Sequence, residues 1–134
     1  MLLTRLSRTV YRLVGNDLPG LTLKQFVTLN YLRDSSGITQ GALGEAMCID
    51  ANNLVLLLNQ LEEAGLAVRE RDPEDRRRHR VSITPAGLRA VVRGEQAIEA
   101  VTDQVLGSLG EDERTVLRGL LAKALGDRAL VAAP

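Results

Sequence analysis

The residues best equipped for chemistry are the run Arg76-Arg77-Arg78-His79-Arg80. Guanidiniums in direct succession cannot enter a core, because each unpaired charge taken out of water costs several kcal/mol. They suit phosphate oxygens on a nucleic-acid backbone, or the negative potential of a narrow minor groove. Just before them, Asp72-Pro73-Glu74-Asp75 combines a rigid proline with carboxylates that accept backbone N–H bonds, which is turn chemistry. Val68 begins a short segment on one side. Val81 and Ile83, alternating at period two, mark another on the other side. The stretch from 68 to 87 therefore reads as a β-hairpin with a charged, solvated tip. Thr84-Pro85 closes it as the N-cap and first residue of a helix.

Other reactive side chains are few. The chain has one histidine, His79, and one cysteine, Cys48. No H-E-x-x-H, C-x-x-C, G-x-S-x-G or phosphate-cradling P-loop is present, so an enzyme is not expected, nor a metal or cofactor. His79 reads as a polar residue of the hairpin tip, with a pH-sensitive phosphate contact as its functional alternative. Cys48 reads as a small buried hydrophobe. Glu95 and Glu99 are one helical turn apart and read as a solvated face. Arg5, Arg8 and Arg12 form a basic stripe, expected to be solvated or paired with acids across a dimer. The functional alternatives for that stripe are DNA backbone contact and an acidic ligand.

The 134 residues are enough for one domain with a real core, and 45% hydrophobic with 25% charged residues is the balance of a globular protein. No apolar run approaches the ~20 residues of a membrane span. The N-terminus has arginines inside its apolar stretch and no small-residue cleavage site, so no signal peptide is expected. A single cysteine gives no internal disulfide framework, and a cytoplasmic protein is expected. Net charge is zero, with 17 basic and 17 acidic side chains. Their distribution is uneven. Residues 66–93 carry eight arginines against four acids, whereas residues 95–113 carry six acids and no base.

The elements that must position the hairpin are helical. Leu3, Leu6, Val10, Leu13 and Val14 share one face of a helix over 2–14, ended by Gly15-Asn16-Asp17 and Pro19-Gly20. Thr22 and Gln25 form a capping box, with Leu21 and Phe26 in staple positions, and start a second helix reaching Asp34. Ser35-Ser36-Gly37 breaks it. A short third helix begins at Thr39 as N-cap and runs to about Met47. A fourth begins at Asp50 and ends at Ala64, with Gly65 just beyond. Two helices joined by a tight turn, the second longer, have the dimensions of a helix-turn-helix. On the fourth, Leu54, Leu57, Leu58 and Leu61 share the inner face. Asn52, Leu56, Asn59, Gln60 and Glu63 lie opposite. Amides can read base edges and a leucine can meet a thymine methyl; the alternative is that Leu56 packs on another element or is simply exposed. A fifth helix is expected from Pro85 to about Leu109, with Leu88, Val91, Ile98, Val101 and Val105 as its stripe. A sixth follows Gly110, with Val116, Leu117, Leu120, Leu121 and Leu125 as its stripe. Residues 127–134 are expected to be a frayed tail.

This arrangement, mainly α with a small β-hairpin wing, resembles the MarR family of bacterial transcription regulators. The resemblance covers nearly the whole chain and is sharpest in the wing, where Asp75-Arg76-Arg77, Val81, Thr84 and Gly87 follow the family's D-x-R…V-x-L-T-x-x-G pattern, with Ile83 in the leucine place. Leu61-Glu62, Gly65-Leu66 and Val68-Arg69 also fit. The resemblance implies one domain over 1–134, with a winged helix-turn-helix lobe at 21–88 and dimerisation helices at 1–18 and 89–126. It implies a homodimeric, ligand-responsive regulator, most often a repressor, on an inverted-repeat operator in double-stranded DNA. By resemblance the fourth helix enters the major groove, and Asn52, Asn53, Leu56, Asn59 and Gln60 on that helix are its candidate DNA contacts. Thr39 and Gln40 match positions that touch phosphate. Arg76, Arg77 and Arg78 form the wing contact, with Arg77 in the minor groove and Asp75 orienting the wing by a salt bridge. A small-molecule effector would lie between lobe and dimer helices, near Tyr11, Arg12, Phe26 and Tyr31. The sequence departs from the family at Val55, Leu56 and Gln60, where threonine or serine, arginine or glycine, and a base are common. Zero net charge and the apolar patch at Val55-Leu56 favour a rival reading: a winged-helix protein–protein interaction module that has lost DNA binding. The Arg76–Arg80 tip opposes it.

Overall fold

The computed structural model describes residues 1–126, apart from the side chains at positions 16, 17 and 125. Residues 127–134, expected as a frayed tail, lie outside the described residues. The elements run α1 (Leu2–Asp17), α2 (Leu23–Asp34), β1 (Ile38–Thr39), α3 (Gln40–Met47), α4 (Ala51–Glu63), β2 (Ala67–Arg71), β3 (His79–Ile83), α5 (Pro85–Val105) and α6 (Glu111–Leu125). They divide into two compact units. One holds residues 1–17 with those from 96 on; the other holds residues 18–95. No single described helix is long and apolar enough to cross a membrane.

The unit of residues 18–95 carries helix-turn-helix and hairpin. α2 starts where the capping box places it, with Gln25 N–H donating to Thr22 Oγ1 and Thr22 N–H to Gln25 Oε1. Leu21 and Phe26, the staple pair, are both buried. α3 is capped by Thr39 through the Ala42 N–H, and α4 by Asp50 through the Asn53 N–H. α3 and α4 meet at 109°, the crossing of a helix-turn-helix. Gly44 permits the approach, since a Cβ there would lie 3.2 Å from Leu54 Cδ2. The inner face of α4 is as patterned: Leu54, Leu57, Leu58 and Leu61 are all buried.

The hairpin is part of a three-stranded antiparallel sheet in the order β1-β3-β2. The sequence pattern predicts only two of these strands. β1 is two residues long, too short to leave a period, and pairs Ile38 with Val81 and Thr39 with Arg80. The first hairpin strand starts at Ala67, not Val68. Ala67 is buried and Val68 is exposed, because register with β3 sets Ala67 opposite Ile83.

Two helix ends also differ. α1 continues through Gly15 to Asp17, because a glycine alone only weakens a helix, and the stop comes where Pro19 disfavours helical backbone at Leu18. α5 ends at Val105 rather than near Leu109. There the Arg114 guanidinium donates to Leu106 O at 3.1 Å and pairs with Asp103 at 2.7 Å, fixing the helix end from α6.

Cys48 is exposed, not buried. It is the C-cap of α3, in left-handed backbone with φ 54°, and so stands at the corner before α4 and not on the inner face of either helix.

Candidate nucleic-acid interface

The wing tip is built by its carboxylates. Asp72, nearly fully buried, accepts from the Glu74 N–H at 3.0 Å and pairs with Arg80 Nε at 3.4 Å. Those contacts, the Glu74 N–H foremost and working against burial, hold the Asp72 carboxyl below the ordinary aspartate range. Its own N–H donates to Arg78 O at 2.9 Å, closing the loop. Asp75 accepts from the Arg77 N–H at 3.0 Å, and its other oxygen lies 3.6 Å from Arg78 Nε. Arg80 also donates to Gly37 O, so it ties the hairpin to the turn before β1. Of the basic run, Arg80 is thus committed internally and Arg78 is loosely paired. Arg76 and Arg77 are exposed, with no ion-pair partner among the described residues.

The wing root is fixed from the other side. Thr84 Oγ1 donates to Gly65 O at 2.6 Å and accepts from the Gly87 N–H at 3.0 Å. Gly87 has no room for a side chain, because a Cβ would fall 2.2 Å from Leu66 O. This explains glycine three residues after Thr84 in physical terms. Gly94, farther along α5, similarly meets the Phe26 ring, where a Cβ would fall 2.4 Å away.

Thr39 and Gln40 at the start of α3 share an open groove of about 860 Å³ with Arg77, Arg78 and His79. Cys48 and Ile49, at the α3–α4 corner, line it too. Asn52, Asn53 and Leu56 on the first turns of α4 are exposed, Leu56 to 60%. Asn59 and Gln60 are engaged. The Asn59 oxygen accepts from the Arg69 guanidinium, and the Gln60 oxygen accepts from Gln25 Nε2 at 3.2 Å. Arg69 also binds Glu62 at 2.7 Å, and its hydrogen bond holds the Glu62 carboxyl below the usual range. Arg69 therefore joins β2 to α4.

Asp72 accepts a backbone N–H as the turn chemistry of Asp72-Pro73-Glu74-Asp75 predicts, but its ion pair with Arg80 and the role of Arg69 are not legible in the sequence. One arginine among many gives no local signal, although the Val68-Arg69 pair within the family pattern pointed to it. The four residues proposed for an effector fall on α1 and α2. Tyr11 and Arg12 are exposed, and the Tyr31 hydroxyl donates to Ala46 O at 3.4 Å. Phe26 is fully buried.

Two helices crossing at 109°, followed by an arginine-tipped hairpin on a short sheet, define a winged helix-turn-helix. Comparison with known proteins is specific. The model of the MarR family matches residues 21–79. Transcriptional regulator HosA of Escherichia coli O111:H- is 32% identical over 110 residues, covering 82% of each chain. A candidate transcriptional regulatory protein for the hcr operon of Thauera aromatica is 38% identical over 104 residues, covering 78% of this chain; the match spans 63% of that relative's length. Among solved structures, a cysteine-to-serine mutant of MarR from Escherichia coli complexed with operator DNA superposes with a TM-score of 0.74 at 26% identity, over 93% of this chain and 91% of that one. The chain belongs to the MarR family of transcription regulators.

Proposed function

We propose that the protein binds double-stranded DNA sequence-specifically as a homodimer, on an inverted-repeat operator, and acts in the cytoplasm as a repressor released by a small molecule. The observation that carries this reading is the groove that gathers Thr39, Gln40, Arg77 and Arg78 from separate elements, with the open first turns of α4 on the same unit. The free Arg77 guanidinium, the loosely paired Arg78 and a helix N-terminus on one surface suit phosphate, while Asn52, Asn53 and Leu56 can address base edges. The operator complex of the MarR mutant supports the same use of this fold.

Dimerisation is supported by apolar surface on the unit of residues 1–17 and 96 onward. Leu2, Leu3, Val116 and Leu120 are exposed in the single chain. An open apolar groove of about 760 Å³ is lined by Leu2, Leu3, Leu6, Leu13 and Val105. Each such side chain gains roughly 1.5–3 kcal/mol when covered, and a second copy is the cover proposed here.

Exposed Val55 and Leu56 favour one rival, an interaction module without DNA binding. Sedimentation combined with footprinting on the gene's own upstream DNA separates the two. A dimer protecting two half-sites about one helical turn apart, ~34–36 Å, is expected. A monomer, or no protection at low salt, contradicts the reading.

A further inference from the structure

The partners of two asparagines on α4 fix which end of each amide remains free. Arginine has only donors, so the Asn59 atom held by Arg69 is the carbonyl oxygen. An ionised aspartate has only acceptors, so the Asn53 atom held by Asp50 is the amide nitrogen. Asn59 keeps both N–H donors, and Asn53 keeps its carbonyl oxygen and one N–H. Asn59 falls within about 60° of both Asn52 and Leu56 on the helical wheel, so it belongs to the outward face. Arg69 is not free to release it, because its side chain is only 20% exposed and is also held by Glu62 at 2.7 Å. Withdrawal of Asn59 would leave part of that guanidinium without a partner.

An unconstrained asparagine reads adenine with both ends, donating to N7 and accepting from the N6 amino group. Asn59 has its accepting end turned to β2. Guanine presents N7 and O6, both acceptors, in the major groove. We propose that Arg69 positions Asn59 as a donor-only reader, so that this point of α4 selects guanine rather than adenine. This rests on the DNA-binding reading above. Arg69 is the positioning residue and Asn59 the specificity-determining one. Asn53, held in the opposite sense, shows that the two polarities are set by partners and not by residue type.

Asn59→Asp tests it, because a carboxylate keeps an acceptor for Arg69 and loses both donors. Wild type and variant would each be selected against a random-sequence duplex library, and affinities measured on the wild-type consensus and its single-base variants. The expected result is a guanine in each half-site whose preference falls about tenfold in Asn59→Asp. Preference at the other positions and the thermal midpoint stay unchanged, and a guanine analogue lacking N7 reproduces part of the loss. Unchanged preference at every position overturns the proposal. So does a lost position that proves to be adenine, or a uniform loss on all sequences that vanishes with salt. A wild type that enriches no sequence overturns the DNA-binding reading itself, and this inference with it.

Discussion

Replacing Gly87 with alanine tests the wing root. In an open helix the change stabilises by up to about 1 kcal/mol, since glycine loses more backbone entropy on folding. At Gly87 the new methyl would lie 2.2 Å from Leu66 O and 2.6 Å from Ile83 Cγ1. Ordinary contact needs more than 3.4 Å, so a backbone carbonyl must move by over an ångström. That carbonyl accepts the Thr84 N–H at 3.0 Å, and the shift loosens the bond that starts α5 beside the hairpin. Overpacking of this kind costs roughly 1–3 kcal/mol and the weakened hydrogen bond about 1 kcal/mol more, so the clash outweighs the propensity gain. A net loss of about 1–3 kcal/mol is expected. Urea unfolding at fixed protein concentration measures it, with Gly41→Ala in the same unit as the control. Nothing lies within 4 Å of a Cβ at Gly41, so no loss is expected there. If Gly87→Ala matched or exceeded wild-type stability, the packing of Leu66 over α5 would be wrong.

Leu56→Ala should leave the fold intact, because the side chain is 60% exposed, and weaken binding by roughly 1 kcal/mol at a single A·T position. Thermal destabilisation, or equal loss on every sequence, would make Leu56 a structural residue. Asp75→Ala should weaken DNA binding by about 1 kcal/mol even though it removes a negative charge, because the carboxylate holds the Arg77 N–H at 3.0 Å. Tighter binding in a filter or anisotropy assay would mean that charge outweighs tip geometry. For Asp72 the sign follows from its lowered folded pKa. Its ionised form adds stability above the ordinary aspartate range, and that contribution is lost as pH falls through the lower folded value. Urea midpoints followed into acid should therefore fall less steeply in Asp72→Asn than in wild type; parallel curves would contradict the Glu74 and Arg80 contacts.

Local signals carried most of the fold. The Thr22/Gln25 capping box, the Thr39 and Asp50 caps and the leucine face of α4 needed only neighbours in sequence, and each stands where spacing put it. What sequence hid was long-range. β1 exists because Ile38 and Thr39 pair with β3 across forty residues, and two residues leave no period. Arg69 reaches Glu62 and Asn59, and Asp72 reaches Arg80, only because register brings those partners near them. Cys48 looked like core because cysteine usually packs inside. It is the left-handed C-cap of α3, a corner position visible only in three dimensions, and is exposed. The outward face of α4 was read correctly as a face, but its later amides are engaged by Arg69 and Gln25 from outside the helix, which no wheel could reveal.

The central claim is that DNA is held by the free arginines of the wing together with α4. A salt titration of wild type and Arg77→Ala on operator DNA tests it most directly. Arg77 has no ion-pair partner among the described residues, so its removal should leave the fold intact. Each phosphate contact contributes about 0.9 to the slope of log affinity against log salt. Arg77→Ala is expected to cost on the order of 1–3 kcal/mol at low salt and to flatten the slope by about one unit per protomer engaged. An unchanged affinity and slope at low salt would contradict the account.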